Sequence, residues 1–506
     1  MYEKHECTRR EFLKGAGAIT AGVALGGLPS FAAESRRKPN VIYVFADQLR
    51  AQTLGCYGDK QVKTPNIDRL AADGARFTNA ISTWPVCSPY RAMLLTGRYP
   101  MSNGVVYNEY PVWDGQDSVA TAFRAAGYDT GYIGKWHLNG AKGKVTPDRT
   151  LDFDFWSPAQ VPMFTDSADG KSQTWRPEVQ TDLAVSYIKD HKDKPFCLFM
   201  SWNPPHNPYI APRRFMSQFP ADKMQFRPNV AEKDLVREQL EKHPMKPGSP
   251  QAKQREGWRK TIDSDDGLRE ILSGYYAAVT GLDACIGRVM KTLDDAGIAD
   301  DTILVFSSDH GDMIGSHRMC LKQEPFEESI RIPFIVRYPG RVPKHTITDA
   351  LLTPVDVMPT LLALAGAACP KGVEGTSFDQ AAMGKRSDQT DAVLIMKMLP
   401  GGGPWTINAA TPWRGVRTKT HTYARLEDGG PWVLFDNTKD PYQMTNLVND
   451  PGSKALRDKM EAKMKVLLEK AHDPFDAKAI VTRIAADSKT KLRDQSLRSP
   501  STVGGE

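Results

Sequence analysis

The sequence predicts an α/β fold, a sheet flanked by helices, followed by a smaller C-terminal antiparallel-sheet subdomain. Three observations carry this. Apolar runs such as "NVIYVFAD" (40–47), "PFCLFMSW" (195–202) and "TILVFSSD" (302–309) are continuous rather than alternating, as strands buried on both faces require. Amphipathic helical stretches separate them, and strand-helix alternation places helices over the sheet. After about residue 385 the pattern changes: "WRGVRTKTHTYARLEDGGPWVLFDNTKDP" alternates around an Asp-Gly-Gly turn, which is the signature of an antiparallel meander.

The elements follow in order. After the first strand, "KTPNIDRLAADGARF" reads as a helix with Thr64 as N-cap, Pro65 in the first turn and Gly74 closing it. "DSVATAFRAAG" is helical and leads into the strand "YDTGYIG"; residues around Tyr187 lead into "PFCLFMSW". A helix from about Tyr275 to Leu293, stopped at Gly297, leads into "TILVFSSD". Residues 215–271 break the rhythm. They are highly charged, contain "HPMKPGSPQAKQREG", and read as an insertion or lid within a main domain spanning 38–385. The subdomain covers 386–475 and includes a helix from about Ser453 to His472, and 476–506 reads as a polar tail.

Composition narrows the function classes. The chain has 506 residues, 40% hydrophobic and 25% charged, which are globular values. Its net charge of +6 is dispersed, with no Lys/Arg stripe, so nucleic acid is not an expected partner. At the N-terminus, Arg9 and Arg10 precede a weakly apolar Gly/Ala-rich run from Gly15 to Leu28, and small residues follow at Ser30, Ala32 and Ala33. The run is too short to span a bilayer, and no other segment is long and apolar enough for a stable membrane span. "TRREFLK" resembles a twin-arginine export signal, so 1–33 is expected to be a signal peptide read by the twin-arginine machinery, with the mature protein periplasmic or secreted. Beyond it lie Cys56, Cys87, Cys197, Cys285, Cys320 and Cys369, with no CxxC pair and no disulfide framework.

The polar residues concentrate at strand ends. "VIYVFA" runs out at Asp47-Gln48, "TGYIG" at Lys135-Trp136-His137, "CLFMSWNPPH" at His206, and "TILVFSS" at Asp309-His310. A single Asp after a strand also serves as a cap or turn residue. Four such ends together point to one site, because ligands of open α/β sheets bind beyond the carboxyl ends of the strands. Asp47 and Asp309 are hard oxygen donors suited to Ca²⁺ or Mg²⁺. Lys135 and His137 lie two apart in an extended segment, and Lys322 follows Asp309 at loop distance. Several cations with two carboxylates imply an anionic substrate beside a metal. Arg50, Arg98, His317 and Arg318 are placed near the rim by sequence proximity, as candidates to read substrate charge.

One stretch is specific. In "VCSPYRAMLLTGRYP", Cys87-x-Pro89-x-Arg91 precedes an apolar helical run and Leu95-Thr96-Gly97-Arg98. This resembles the signature of the type I, formylglycine-dependent sulfatases of the alkaline phosphatase superfamily, and "GKWHL", "SSDHGD" and "LFDNTKDPYQMTNL" extend the resemblance over most of the mature chain. The resemblance implies a large mixed, mostly parallel sheet between helices. It implies that a formylglycine-generating enzyme oxidises Cys87 to 3-oxoalanine, whose hydrate offers one hydroxyl to attack and one to eliminate, at a helix N-terminus that favours negative charge. It also implies that Asp47, Gln48, Asp309 and His310 hold the cation, Ca²⁺ or alternatively Mg²⁺, with residue 87 completing the shell. Arg91 would orient the hydrate, Lys135 and Lys322 would grip the sulfate, His137 would act as base and His206 would protonate the leaving alcohol. The implied substrate is a sulfated saccharide or arylsulfate. Gln48 and His310 stand where many relatives carry Asp and Asn, and Tyr90 where Ser is frequent. The alternatives are a phosphonate monoester or phosphodiester hydrolase of the same superfamily, and a non-catalytic binding protein with an intact thiol.

Overall fold

The structure, a computed structural model, describes residues 37–138, 149–158, 161–166, 173–230, 248–385, 390–400 and 411–491. The expected signal peptide, residues 231–247 of the insertion and the last part of the tail lie outside the described residues.

Fourteen strands are described: β1 (Asn40–Asp47), β2 (Ala75–Ile81), β3 (Asp129–Gly134), β4 (Phe155–Ser157), β5 (Phe164–Asp166), β6 (Gln173–Trp175), β7 (Phe196–Pro205), β8 (Thr302–Ser308), β9 (Arg331–Arg337), β10 (Thr346–Leu352), β11 (Ala392–Lys397), β12 (Trp413–Thr418), β13 (His421–Leu426) and β14 (Gly430–Asp436). Eight of them form the main sheet in the order β10-β2-β9-β8-β1-β7-β3-β4, and β9 alone runs against its neighbours. The sheet is mixed and mostly parallel.

Strand β1 shows why its sequence is apolar throughout. Ile42, Val44 and Ala46 face one core, formed with the helices Pro65–Ala72, Arg176–His191 and Asp265–Asp295. Val41, Tyr43 and Phe45 face another, formed with Cys87–Thr96, Val119–Ala125 and Pro354–Ala365. All six side chains are fully buried. A strand sandwiched between two helix layers has no solvent face, so the period of two disappears from its sequence.

The second sheet is an antiparallel meander, β11-β12-β13-β14, that begins one strand earlier than the alternating stretch. One face packs Leu394, Met396, Val416, Tyr423 and Leu434 on Met460, Met464 and Leu468 of the helix Lys454–Lys470. The other packs Ile395, Trp413, Val433 and Phe435 on Ile81, Phe326 and Leu351 of the main unit.

Two regions differ from expectation. The polar tail contains a helix, Ala477–Lys491, with Ile480 and Ile484 buried against the second sheet's core. Two apolar residues four apart suffice to dock an otherwise charged helix. The long helix starts at Asp265 rather than near Tyr275, capped by Ser264, and its first turns bury Leu268, Ile271 and Leu272. Part of the presumed insertion is therefore core helix, preceded by the helix Pro250–Asp263. Among the described residues no helix is long and apolar enough to cross a membrane.

The second sheet is tied to its helices by a buried ion pair. Arg414 Nη2 lies 3.0 Å from Asp473 Oδ1, and Nε bonds the other carboxylate oxygen at 2.5 Å. Both side chains are essentially fully buried. Asp473→Ala is expected to lower unfolding stability by about 3–5 kcal/mol, because it strands a buried guanidinium. Urea denaturation checks this, and an unchanged midpoint would refute it.

Candidate active site

The four polar strand ends belong to β8, β1, β7 and β3, which are consecutive and mutually parallel. Their carboxyl ends therefore form one edge, and strand spacing of about 4.8 Å brings the four loops within reach of each other. Asp47 ends β1, and His206 N–H donates to its carbonyl at 3.1 Å, so the β7 loop is laid across it. Asp309-His310 follows β8 and Lys135 follows β3.

Cys87 enters from the side as the first residue of the helix Cys87–Thr96, which ends at Gly97 in the left-handed conformation (φ 64°). Its Sγ lies 3.3 Å from His310 Nε2, 3.6 Å from Asp47 Oδ1, and 3.7 Å from both Lys135 Nζ and Lys322 Nζ. The His137 and His206 side chains also face it. Burial pushes the thiol pKa up, but Lys135, Lys322 and His310 outweigh it and hold it well below its ordinary value. The pocket favours an anion at the position of this sulfur.

Arg91 sits one turn beyond Cys87, on the same face. Its Nη2 bridges Asp47 Oδ2 (3.2 Å) and Asp309 Oδ2 (3.0 Å), while Nη1 donates to Lys135 O (2.7 Å) and Ser201 Oγ (2.6 Å). The guanidinium lies over the Phe45 ring, 4.8 Å from its centroid. Burial and the neighbouring sulfur act to raise the Asp47 pKa, and Lys135, His206 and Arg91 together hold it below the usual carboxylate range. Burial and Asp47 push Asp309 upward.

Asp47, Cys87, Asp309 and His310 offer donor atoms all within 4.8 Å of one another, and all four residues are buried. Nδ1 of His310 faces the Gly311 carbonyl at 3.0 Å, an acceptor only, which favours the proton on Nδ1 and turns Nε2 toward Cys87 and the two carboxylates, where it would be the donor to a cation. The donor set thus fits a divalent cation. Gln48 stands at the border. Its backbone N–H donates to Asp309 Oδ1 (2.9 Å), and its side-chain oxygen accepts from Lys322 (2.5 Å).

Among the sequence-predicted rim residues, three lie elsewhere. Arg50 is buried, its Nε donating to Thr53 Oγ1 and its Nη1 to the Met313 carbonyl. Arg98 follows the far end of the Cys87–Thr96 helix, roughly 15 Å from its start, and packs against Gly372. His317 is buried against Phe326, with Asn229 bonded to its ring. Arg318 is part-exposed, 4.0 Å from Asp265.

Sequence reasoning missed Asp312, Tyr209, Ser201 and Tyr132. Asp312 accepts hydrogen bonds from Gln48 Nε2 (2.5 Å) and Tyr209 OH (2.7 Å), and Tyr132 OH lies 3.4 Å from Arg91 Nη1. Asp312 stands inside "SSDHGD", three residues after Asp309, but nothing in that spacing showed that the side chain turns inward.

Gly134 positions Lys135. At φ 105°, a Cβ there would stand 2.0 Å from the Ser201 carbonyl, which also accepts from Lys135 N–H at 3.0 Å. Gly134→Ala is expected to lower kcat/KM about 100-fold by displacing Lys135. Wild-type kinetics in that variant would refute the positioning role.

A profile of the Sulfatase family matches residues 39–367. The chain belongs to the sulfatase family. The C-terminal profile of N-sulphoglucosamine sulphohydrolase matches residues 315–470, and that of the twin-arginine translocation pathway signal sequence residues 6–26. This sulfatase is thus a sulfuric ester hydrolase of the alkaline phosphatase superfamily, addressed for export to the periplasm or the medium. It is 34% identical to an ulvan-active sulfatase of Formosa agariphila, over 87% of this chain and 83% of that one. It is 29% identical to an endo-4-O-sulfatase of Bacteroides thetaiotaomicron, over 92% and 99% respectively. A structure solved with its substrate D-glucosamine-2-N,6-O-disulfate shares the fold, with a TM-score of 0.73, 24% identity, and 87% and 100% coverage. The family generally uses formylglycine and a divalent metal.

Proposed function

We propose that this sulfatase removes sulfate esters from an extracellular or periplasmic carbohydrate, using 3-oxoalanine made from Cys87 by a formylglycine-generating enzyme, and Ca²⁺ (Mg²⁺ as the alternative). The observation that carries the reading is the setting of Cys87 Sγ, 3.7 Å from each of two lysine ammonium groups and beside a cluster of buried cation donors. An ulvan-active and an endo-4-O-sulfatase among the relatives support the carbohydrate class.

Asp47, Asp309 and His310 would hold the cation, with residue 87 and Gln48 at its edge. When present, the cation offsets charge on the ester and the aldehyde hydrate supplies the nucleophilic hydroxyl. Lys135 and Lys322 grip the sulfate oxygens from two sides. Arg91 fixes Asp47 and Asp309 relative to position 87. His137, part-exposed and beside residue 87, takes the proton from its hydroxyl. His206 delivers a proton to the leaving alcohol from Nε2, because its Nδ1–H is held by the Asn207 carbonyl at 2.8 Å. Burial and Lys322 push the His206 pKa down in the free site, and an anionic ester seated between the lysines would reverse that pressure.

The test is a panel of 4-nitrophenyl sulfate, a nitrophenyl phosphate diester, and sulfated oligosaccharides from ulvan and glycosaminoglycans, read by released sulfate or nitrophenol. Sulfate-ester turnover well above diester turnover, with at least one saccharide desulfated, is expected. Equal or greater diester turnover would overturn the sulfate assignment.

A further inference from the structure

A groove of about 680 Å³ lies beside the reaction centre, between the loop after β7 and the helices Pro250–Asp263 and Asp265–Asp295. Tyr209, Ile210, Trp258, Ile271 and Glu270 are among its walls. Tyr209 and Trp258 meet edge to face, with centroids 6.2 Å apart and an interplanar angle of 77°. Ile210 is 41% exposed.

The groove shares its walls with the site. The Tyr209 ring lines it, while the Tyr209 hydroxyl donates to Asp312 and lies 3.5 Å from Gln48 Nε2. Gln48 in turn bonds Lys322. Trp258 packs on the cluster of Ile262, Cys320 and Leu321, immediately before Lys322. A substrate gripped by Lys322 therefore lies about one side chain away from these aromatic surfaces.

We infer that this groove is a second sugar subsite, seating a pyranose ring adjacent to the one that carries the scissile sulfate. The inference rests on the carbohydrate reading above. A pyranose has an apolar C–H face and a rim of hydroxyls. Two aromatic residues and two isoleucines match the face, and Glu270 and Asn207 at the wall match the rim. Among the described residues no Lys or Arg lines the groove, and Glu270 carries a negative charge. With no described cation there to pair with a sulfate or carboxylate, the groove favours a neutral ring.

The experiment compares wild type with Trp258→Ala and Ile210→Gln. It measures kcat/KM on an oligosaccharide that the enzyme desulfates and on 4-nitrophenyl sulfate, and takes their ratio. Trp258→Ala is expected to lower the ratio about tenfold and Ile210→Gln about threefold, through KM. The matching sulfated monosaccharide should show no such fall. A variant that is merely destabilised lowers both rates together and leaves the ratio unchanged. An unchanged or increased ratio in both variants would overturn the subsite. Hydrolysis of 4-nitrophenyl sulfate with no saccharide desulfated by the wild type would instead sink the carbohydrate reading, and the subsite with it.

Discussion

Cys87→Ala is expected to abolish sulfate-ester hydrolysis, lowering kcat/KM on 4-nitrophenyl sulfate by about 10⁵-fold or more, as loss of a covalent nucleophile does. Burial alone would not single out this residue. Cys197 is equally buried, near the start of β7, and burial pushes its thiol pKa well above the ordinary value. Cys87 has the same solvent exclusion and the opposite electrostatics, because two lysines and a histidine face it. Cys197→Ala should accordingly cost stability without reducing turnover more than a few-fold. The chemical form of residue 87 is read separately, from the mass of the tryptic peptide spanning residues 77–91 in protein from the native host. Conversion exchanges the elements of hydrogen sulfide for a single oxygen, which makes that peptide lighter, and it removes the reaction with iodoacetamide. Active enzyme with an alkylatable thiol at 87, or an alanine variant that still turns over, would break the assignment.

The site was legible in the sequence for a physical reason. Strands buried on both faces announce themselves as unbroken apolar runs, so their ends are sharp, and the residues following four of them fell on one edge. Distance from those ends was a poor guide to direction. Arg50 and His317 are near candidate site residues along the chain, yet both turn into the interior. Strands β2, β9 and β10 escaped notice because their runs are short or interrupted. In β9, Pro333 reads as a breaker at a central position. The structure accommodates it opposite a register shift in β2 between Phe77 and Ala80, where the ladder has no bond to lose, and the Pro333 carbonyl accepts from Ser307 Oγ at 2.8 Å. The helix Ala477–Lys491 escaped because its buried apolar stripe, among the described side chains, is only two isoleucines within a charged segment. The inward turn of Asp312 depends on Tyr209, 103 positions away, and no local pattern encodes such a partnership.

Arg91→Ala carries the second large effect, and its cause differs from that at Cys87. The Arg91 side chain is completely buried and is the only one to bond both Asp47 and Asp309 among the described hydrogen bonds. Removing it takes away the cation shared by two buried carboxylates, leaving Asp47 to Lys135 and Asp309 without its guanidinium, at a cost of about 3–5 kcal/mol in stability. It also releases Lys135 O and Ser201 Oγ, which locate the β3 end beside Cys87. A fall of about 10³-fold in kcat is therefore expected together with a lowered melting temperature. Arg91→Lys keeps the charge, but a single ammonium cannot reach two carboxylates and two oxygens in opposite directions, so it should recover less than a tenth of the lost rate. Added Ca²⁺ separates the roles. If Arg91 orients the carboxylates rather than binding substrate, Ca²⁺ should raise the melting temperature of Arg91→Ala at least as much as that of wild type, because the freed carboxylates attract it more strongly, while kcat stays low. Recovery of wild-type turnover by Ca²⁺ alone would show that charge balance, and not geometry, is what the guanidinium provides.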